Sequence, residues 1–199
     1  GHHVPRFSVG GTVTDLDSSA PEGTEYLFFP GVYDLQPEGT GEYVDAQSAR
    51  AVVEDGTQGS SYETTHITLE GSLNSQLRGE VLHAVQDAVQ ACGTLGRNAD
   101  QMCPSALRSS SLSVLDITTM PSTLVSVSDS GAYTGEDAVI TYQDTGSWLP
   151  DRHPRTLTLR PTATVALSDA GIPVTDIDGK PVISVTLSIP SSAGDSPSS

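Results

Sequence analysis

One segment of this sequence repeats its apolar residues at the spacing of a helix. These residues recur every three or four positions, and glutamine, glutamate, aspartate and arginine fill most of the places between them. Asn74 or Ser75 can cap the start, because a side-chain oxygen there accepts an N–H group of the first turn. The pattern predicts an amphipathic helix over residues 75–92, with an apolar stripe that needs another layer to cover it. The stripe consists of Leu77, Val81, Leu82, Val85, Ala88, Val89 and Cys92.

Short runs typical of strands lie on both sides of this helix. Apolar and polar residues alternate in several of them, which indicates strands with one buried face. Asp178-Gly179 favours a hairpin turn, so we expect residues 171–175 and 181–189 to pair. The order of elements predicts an α+β fold, with a mostly antiparallel curved sheet packed on one main helix. The other predicted strands are 7–14 with a Gly-Gly bulge or kink, 24–35 divided by a turn at Pro30-Gly31, 48–54, 62–70, 111–119, 123–129, 136–143 and 155–168.

The ends of the chain differ in composition from the part between them. Gly1-His2-His3 is typical of an affinity-tag remnant, and residues 190–199 are rich in Ser and Pro, which predicts a tail. We therefore expect one domain over residues 4–189. The sequence contains neither a signal peptide nor an apolar run that would enter a membrane directly, so we expect a segment cut from a longer, anchored polypeptide.

The charge of the chain excludes some classes of partner. It carries 25 acidic and 9 basic residues, for a net charge of -16. Such a field repels nucleic acids and anionic lipid surfaces. It favours solubility, or the attraction of cations or of a basic partner. No glycine pattern typical of a phosphate or dinucleotide site is present, and we expect no cofactor.

Two cysteines, Cys92 and Cys103, flank the predicted end of the helix, where Gly93 is suited to a C-terminal cap. Three interpretations compete. The first is a disulfide, which would place the domain outside the cytoplasm. The second is a pair of buried thiols. The third is a metal or redox pair, although the sequence has no C-x-x-C and no neighbouring group of Cys and His ligands.

Catalytic and metal-binding motifs are not found. The sequence lacks G-x-S-x-G and H-E-x-x-H, and its histidines beyond the first three residues are widely spaced. Asp176 and Asp178 resemble the start of a calcium loop but lack its further ligands, so turn chemistry is the competing interpretation. These observations predict a non-enzymatic protein, and a hydrolase with an unrecognised site is the alternative. The histidines are His66, His83 and His153.

The most aromatic stretch contains Tyr26, Phe28, Phe29 and Tyr33, and the single tryptophan is Trp148. These side chains either pack in the core or face a ligand. If they face a ligand, a carbohydrate-binding or adhesin module is an alternative function, because sugar rings stack on exposed aromatic rings.

Three short motifs together resemble the extracytoplasmic regions of membrane-anchored actinobacterial proteins of unknown function. They are Leu-Phe-Phe-Pro-Gly-Val-Tyr at 27–33, Ala-Val-Gln-Ala-Cys at 88–92 and Met-Cys-Pro at 102–104. In that family a PG-x-Y strand precedes a helix and a C…CP pair follows it. Ser105 departs from the aromatic or apolar residue that the family usually has after Cys-Pro.

The resemblance covers residues 25–189. It implies a bridge between Cys92 and Cys103 and an outward-facing domain on a single-pass protein of the cell surface, with no established activity. The element order is also similar to that of cystatin-like and nuclear-transport-factor-like domains. The leading hypothesis is a non-enzymatic extracytoplasmic binding or interaction domain of an anchored cell-envelope protein, whose partner is an envelope protein or a glycan.

Overall fold

In the residues that the structure describes, the chain is mostly antiparallel sheet with one α-helix, which confirms the predicted α+β class with curved sheets. It divides into two compact units, so the prediction of one domain over residues 4–189 stays a prediction. Unit 1 comprises Gly1–Leu77 and Leu167–Lys180, and unit 2 comprises Arg78–Ala166 and Pro181–Ser199. The computed structural model describes residues 3–17, 25–54, 65–94, 103–108, 112–144 and 153–190.

Unit 1 contains a four-stranded antiparallel sheet in the order β2-β1-β3-β5 and a two-stranded sheet formed by β4 and β6. One cluster of its core consists of Phe7, Leu35 and Ala51, and half-buried residues from several segments, including Ile67 and Leu69, pack against these three. The strands are β1 (Arg6–Val9), β2 (Thr12–Asp15), β3 (Gly31–Glu38), β4 (Val44–Ala46), β5 (Ala49–Val53) and β6 (Gly71–Leu73).

Unit 2 contains most of helix α1 and a six-stranded antiparallel sheet in the order β7-β10-β11-β9-β8, with β12 also paired to β11. A short 3-10 helix, Ser105–Leu107, follows α1 in the chain. The elements are α1 (Ser75–Thr94), β7 (Leu112–Thr119), β8 (Leu124–Val127), β9 (Ala132–Gly135), β10 (Ala138–Asp144), β11 (Arg155–Val165) and β12 (Ile183–Ser188).

The long strand β11 organises the sheet of unit 2. Thr162 lies opposite both Thr134 of β9 and Thr186 of β12, so these two strands occupy opposite edges of β11. β10 pairs with the first half of β11, at Ala138↔Leu159. The pairing of β7 with β10 and that of β8 with β9 each contain register shifts. Because bulges bend a strand pair and increase its twist, they account for the curvature of the sheet.

The helical periodicity identified α1 correctly. The Asn74 side-chain oxygen accepts the Leu77 N–H at 3.1 Å, so Asn74 is the N-terminal cap. Nearly every residue of the predicted stripe is fully buried, and Leu82 is half-buried. Close packing against the sheet is visible at Gly135, where an added methyl would lie 3.3 Å from Val85 and 2.9 Å from Pro161. At Val85 the apolar stripe of α1 therefore packs on the sheet of unit 2.

Residues 7–14 form a hairpin rather than one kinked strand. β1 and β2 pair directly, with Phe7 opposite Thr14. Gly10 and Gly11 between them have φ values of 55° and 85°. Positive φ at both central residues is the requirement of a two-residue hairpin turn whose twist matches that of the strands. The Gly-Gly pair is thus a turn, and the prediction of a bulge was wrong.

Other strand boundaries also differ from those predicted. Residues 25–30 contain no strand, and only the part from Gly31 onward is extended in a sheet. Residues 65–70 contain none either, and the strand β6 begins at Gly71. The strand β9 was not predicted. Its four residues, Ala-Tyr-Thr-Gly, are short and end in a glycine, which gives little periodic signal.

The Asp178-Gly179 turn exists, but the strand after it has a different main partner. The Asp176 N–H donates to the Lys180 carbonyl at 2.8 Å, which closes the turn. β12 pairs along its whole length with β11, and Pro173 forms a bridge with Leu167. A turn motif fixes only local geometry, so the partner of β12 was set by the long-range pairing with β11 rather than by the turn.

His3, in the segment predicted as a tag remnant, is buried in unit 1. Its Nδ1 atom is hydrogen-bonded to the carbonyl of Gly171. An added methyl on Gly71 would lie 2.9 Å from the His3 Cβ, which shows how tightly this side chain is enclosed. His3 therefore contributes packing to unit 1, whatever its origin.

Candidate functional site

A disulfide joins Cys92, near the end of α1, to Cys103, which precedes the short 3-10 helix. The Cα atoms are 5.7 Å apart, within the usual range for a bridge. Both residues are buried, with exposures of 3% and 1%. The bridge confirms the first of the three interpretations of the cysteine pair. The Arg108 Nε–H donates to the Cys103 carbonyl at 2.7 Å and adds a second connection at this point.

A loop of large apolar side chains lies directly before β3 in unit 1. We call residues 25–30 the aromatic loop. Leu27 is 93% exposed, Phe29 is 87% exposed and Phe28 is 38% exposed. Single exposed apolar residues are common on protein surfaces, but three consecutive large ones are a feature of binding sites.

Two tyrosines hold the aromatic loop to the rest of unit 1. The Tyr33 hydroxyl donates to the Phe29 carbonyl at 2.7 Å, and the Tyr33 ring lies 4.9 Å from the Phe28 ring. The Tyr26 hydroxyl donates to the Asp15 carbonyl at 2.8 Å. The Tyr26 ring meets the core residue Phe7 edge-on at 5.3 Å. These contacts fix the loop backbone at both ends, so ordering it on binding costs less entropy.

A further apolar pair lies at the start of β3. Val32 is directly opposite Val52 of β5, and both are about half exposed. Alternation along the strand places them on the face opposite to the buried Leu35. Asp34 and Arg50 follow on the same face, 3.9 Å apart and well exposed. An ion pair this open to water contributes little to stability.

The structure separates the predicted aromatic residues into two groups. Tyr26 and Tyr33 are half-buried anchors, whereas Phe28 and Phe29 are exposed to solvent. Leu27, the most exposed of the three large apolar side chains in the loop, was missed because it is not aromatic. Its position in an unbroken apolar run before Pro30 was the available signal. Trp148 lies outside the described residues.

The two candidate calcium ligands lie in one exposed turn of unit 1. The Asp176 Oδ1 atom accepts the N–H groups of Asp178 and Lys180, both at 2.9 Å. This is the arrangement by which an aspartate stabilises a turn. Within the described ranges, no group of three or more His, Cys, Asp or Glu residues is placed to hold a metal ion.

The three histidines are exposed at separate points of the chain. His66 precedes β6, His153 precedes β11, and His83 lies on the outer side of α1. The His83 Nδ1 atom is 3.0 Å from Asp87, one turn further along the helix. This pairing is typical of an exposed helix surface.

The carboxyl groups with altered pKa values are part of turns and strand pairs in unit 2. The Glu136 Oε2 atom accepts the Ser122 N–H and hydroxyl and the Thr123 N–H, at 2.8–3.1 Å, and these hydrogen bonds lower its pKa. Asp137 accepts two hydrogen bonds from Arg160, at 2.8 and 2.9 Å, and its pKa is lowered for that reason. Both groups are thus held ionised by structural contacts.

Burial is the main cause that raises the pKa of Tyr133 on β9. The charge of Arg78 opposes this effect and that of Asp129 adds to it. Its hydroxyl is fully buried and has no hydrogen-bond partner among the described residues. Such a group costs stability, since its hydration is lost without replacement.

Comparison with protein-family models, with curated proteins and with solved structures gives no match. The resemblance to actinobacterial envelope proteins therefore stays a prediction. No helix in the described part of the chain combines the length and the hydropathy that crossing a membrane requires.

Proposed function

We propose that this chain is a non-enzymatic binding domain that works outside the cytoplasm, and that the aromatic loop of unit 1 is its binding surface. The observation that carries the proposal is the exposure of Leu27 and Phe29 on a backbone held by the Tyr26 and Tyr33 hydroxyls. A binding surface of this kind combines apolar area with a backbone that is already ordered.

The energetics of the loop favour a partner. Burying a large apolar side chain is worth about 1.5–3 kcal/mol relative to leaving it in water. Leu27 and Phe29 forgo nearly all of this gain in the isolated chain, whereas Tyr26 in the same segment packs on the core. A partner that covers both side chains would recover it.

The disulfide supports the extracytoplasmic part of the proposal. Stable bridges form in oxidising compartments and are rare in the reducing cytoplasm of mesophiles. Cys92 and Cys103 are the only two cysteines in the sequence, and both are used in the bridge. The family resemblance implies that this domain is part of a membrane-anchored envelope protein, and that is included in the same proposal.

The composition of the loop favours a protein partner over a glycan. Sugar-binding faces combine a flat aromatic ring with hydrogen-bonding groups around it. Here Leu27, Phe28 and Phe29 form an unbroken apolar run, Glu25 is the exposed charged side chain of the loop, and the Tyr33 hydroxyl already donates to a backbone carbonyl. Apolar side chains of this kind are typical of the centre of a protein–protein interface.

Binding to cell envelopes isolated from the native source tests the proposal. The labelled protein is expected to bind saturably, and Phe29→Ser is expected to weaken binding by about tenfold or more, as a central interface residue does. Val125→Ser is the matched control, because Val125 is 69% exposed on β8 of unit 2. Circular dichroism of each variant checks that it remains folded.

Pretreatment of the envelopes identifies the class of partner. Loss of binding after protease digestion, with retention after periodate oxidation of sugars, supports a protein partner. The reverse result supports the carbohydrate-binding alternative. Equal binding by the wild type and Phe29→Ser, or no saturable binding at all, contradicts the proposal.

A further inference from the structure

We infer that the aromatic loop receives a cationic protein segment, in which apolar side chains are flanked by lysine or arginine. This inference rests on the proposed function and adds the chemistry of the partner. Its basis is the distribution of charge in unit 1 around an apolar surface.

Unit 1 is strongly acidic in the part that the structure describes. Its basic residues there are Arg6, Arg50 and Lys180. The acidic ones greatly outnumber them. They are Asp15, Asp17, Glu25, Asp34, Glu38, Glu42, Asp45, Glu54, Glu70, Asp169, Asp176 and Asp178.

Three of these acidic residues are near the loop along the backbone. Glu25 is the first residue of the loop, and Asp15 is connected to the loop by the Tyr26 hydrogen bond to its carbonyl. Glu54 follows Val53, which pairs with Gly31 just after the loop. All three acidic side chains are exposed. Glu25 and Glu54 therefore place negative charge at the start of the loop and next to the strand pair that follows it.

The basic residues on the described strands of this sheet are Arg6 on β1 and Arg50 on β5, and each lies opposite an acidic residue. Arg50 lies 3.9 Å from the exposed Asp34, and Arg6 is directly opposite Asp15 in the β1–β2 pair, so neither is an isolated positive charge. The remaining field around the loop is negative, and it favours the approach of a cationic segment and disfavours an acidic one. A second copy of this chain would bring the same negative charge against itself, which makes self-association through the loop unfavourable.

Three short synthetic peptides of equal length test the inference. They share a central Leu-Phe-Leu core and carry lysine, serine or glutamate on both sides. Binding to the full chain is measured by fluorescence anisotropy. The lysine peptide is expected to bind about tenfold more tightly than the serine peptide at low salt, because charges at the rim of an interface add attraction. This advantage should largely vanish at about 0.5 M salt, where the charges are screened.

Three variants separate the apolar contribution from the electrostatic one. Phe29→Ser should weaken both the lysine and the serine peptides. The double variant Glu25→Gln/Glu54→Gln should weaken the lysine peptide several-fold and leave the serine peptide unchanged. Val125→Ser should bind as the wild type does.

The outcomes distinguish the inference from the proposed function. If the lysine and serine peptides bind the wild type equally and neither binds Phe29→Ser, the inference is overturned while the loop remains a binding surface. If the lysine peptide binds Phe29→Ser as well as the wild type, attraction is by charge alone and both ideas fail. The inference is also overturned if the lysine peptide does not bind, or if the wild type forms a concentration-dependent dimer that Phe29→Ser does not form. In either case the envelope assay tests the proposed function independently.

Discussion

Reduction of the bridge between Cys92 and Cys103 is expected to destabilise the protein by about 3 kcal/mol. The two residues are 11 positions apart in the chain. On the chain-entropy model, closing a loop of this size lowers the entropy of the unfolded chain by about 9–10 cal/mol/K, which is about 3 kcal/mol near 25 °C. Both sulfur atoms lie in the core, and reduced thiols fill a similar volume as small apolar groups. The loss should therefore come mainly from the unfolded state.

Urea unfolding followed by far-ultraviolet circular dichroism measures this difference. The oxidised protein and the protein kept reduced under argon are compared by linear extrapolation to water. The double variant Cys92→Ala/Cys103→Ala is the control, since reductant should leave its stability unchanged. A loss below about 1 kcal/mol on reduction would refute the reasoning, because the bridge would then restrict the unfolded chain far less than its loop length requires.

Three further predictions concern unit 2. Tyr133→Phe is expected to leave the free energy of unfolding unchanged or to raise it by about 1–3 kcal/mol, because the deleted hydroxyl is buried without a hydrogen-bond partner among the described residues; a clear loss in urea unfolding would contradict this. Gly135→Ala is expected to destabilise by about 1–3 kcal/mol through overpacking, since its methyl would lie 2.9 Å from a buried proline. Its control Gly79→Ala, in the interior of α1 with open space around it, should stabilise by about 1 kcal/mol; the same sign for both variants would refute the packing argument. The pKa of Glu136 is lowered by its hydrogen bonds, so its contribution is present above the ordinary carboxyl pKa and is lost as pH falls through the folded value. Glu136→Gln should therefore reduce stability at neutral pH, and the difference from the wild type should shrink on acidification, as thermal unfolding at several pH values would show.

The helix was predictable because its burial is one-sided. A stripe against a sheet requires apolar residues at a spacing that no strand reproduces. α1 begins at Ser75 as predicted and ends at Thr94, two residues beyond the predicted end, so Gly93 is part of the helix rather than its cap. Its capping residue was limited to two candidates by side-chain chemistry. The structure selects Asn74 by its hydrogen bond to the Leu77 N–H.

Strand pairing was harder to predict because local patterns do not specify partners. Gly10-Gly11 is compatible with a bulge or a turn. Because Phe7 pairs with Thr14, the two flanking strands lie side by side, and the glycines form the turn between them. The alternation in residues 181–189 identified a strand correctly, but it indicates only which face is buried and not which neighbour hydrogen-bonds along the strand's edge. β11 provides that neighbour from a distant part of the sequence.

The aromatic stretch illustrates a similar limit at the candidate site. Tyr26, Phe28, Phe29 and Tyr33 have comparable apolar character, so the sequence did not separate anchors from exposed residues. The two tyrosine hydroxyls find backbone carbonyls and hold the segment in place, whereas the phenylalanines have no such polar handle. The hydroxyl groups were the distinguishing feature, but their acceptors become known only from the fold.

Photo-crosslinking from position 29 tests the central claim most directly. Benzoylphenylalanine replaces Phe29 in one protein and Val125, in unit 2, in the control, and each is irradiated on native envelopes. We expect a discrete protein adduct from position 29 and none from position 125. Excess unlabelled wild type should suppress the adduct, whereas excess unlabelled Phe29→Ser should suppress it poorly. Identical adducts from both positions, or equal suppression by the wild type and Phe29→Ser, would contradict the claim that the aromatic loop is the binding surface.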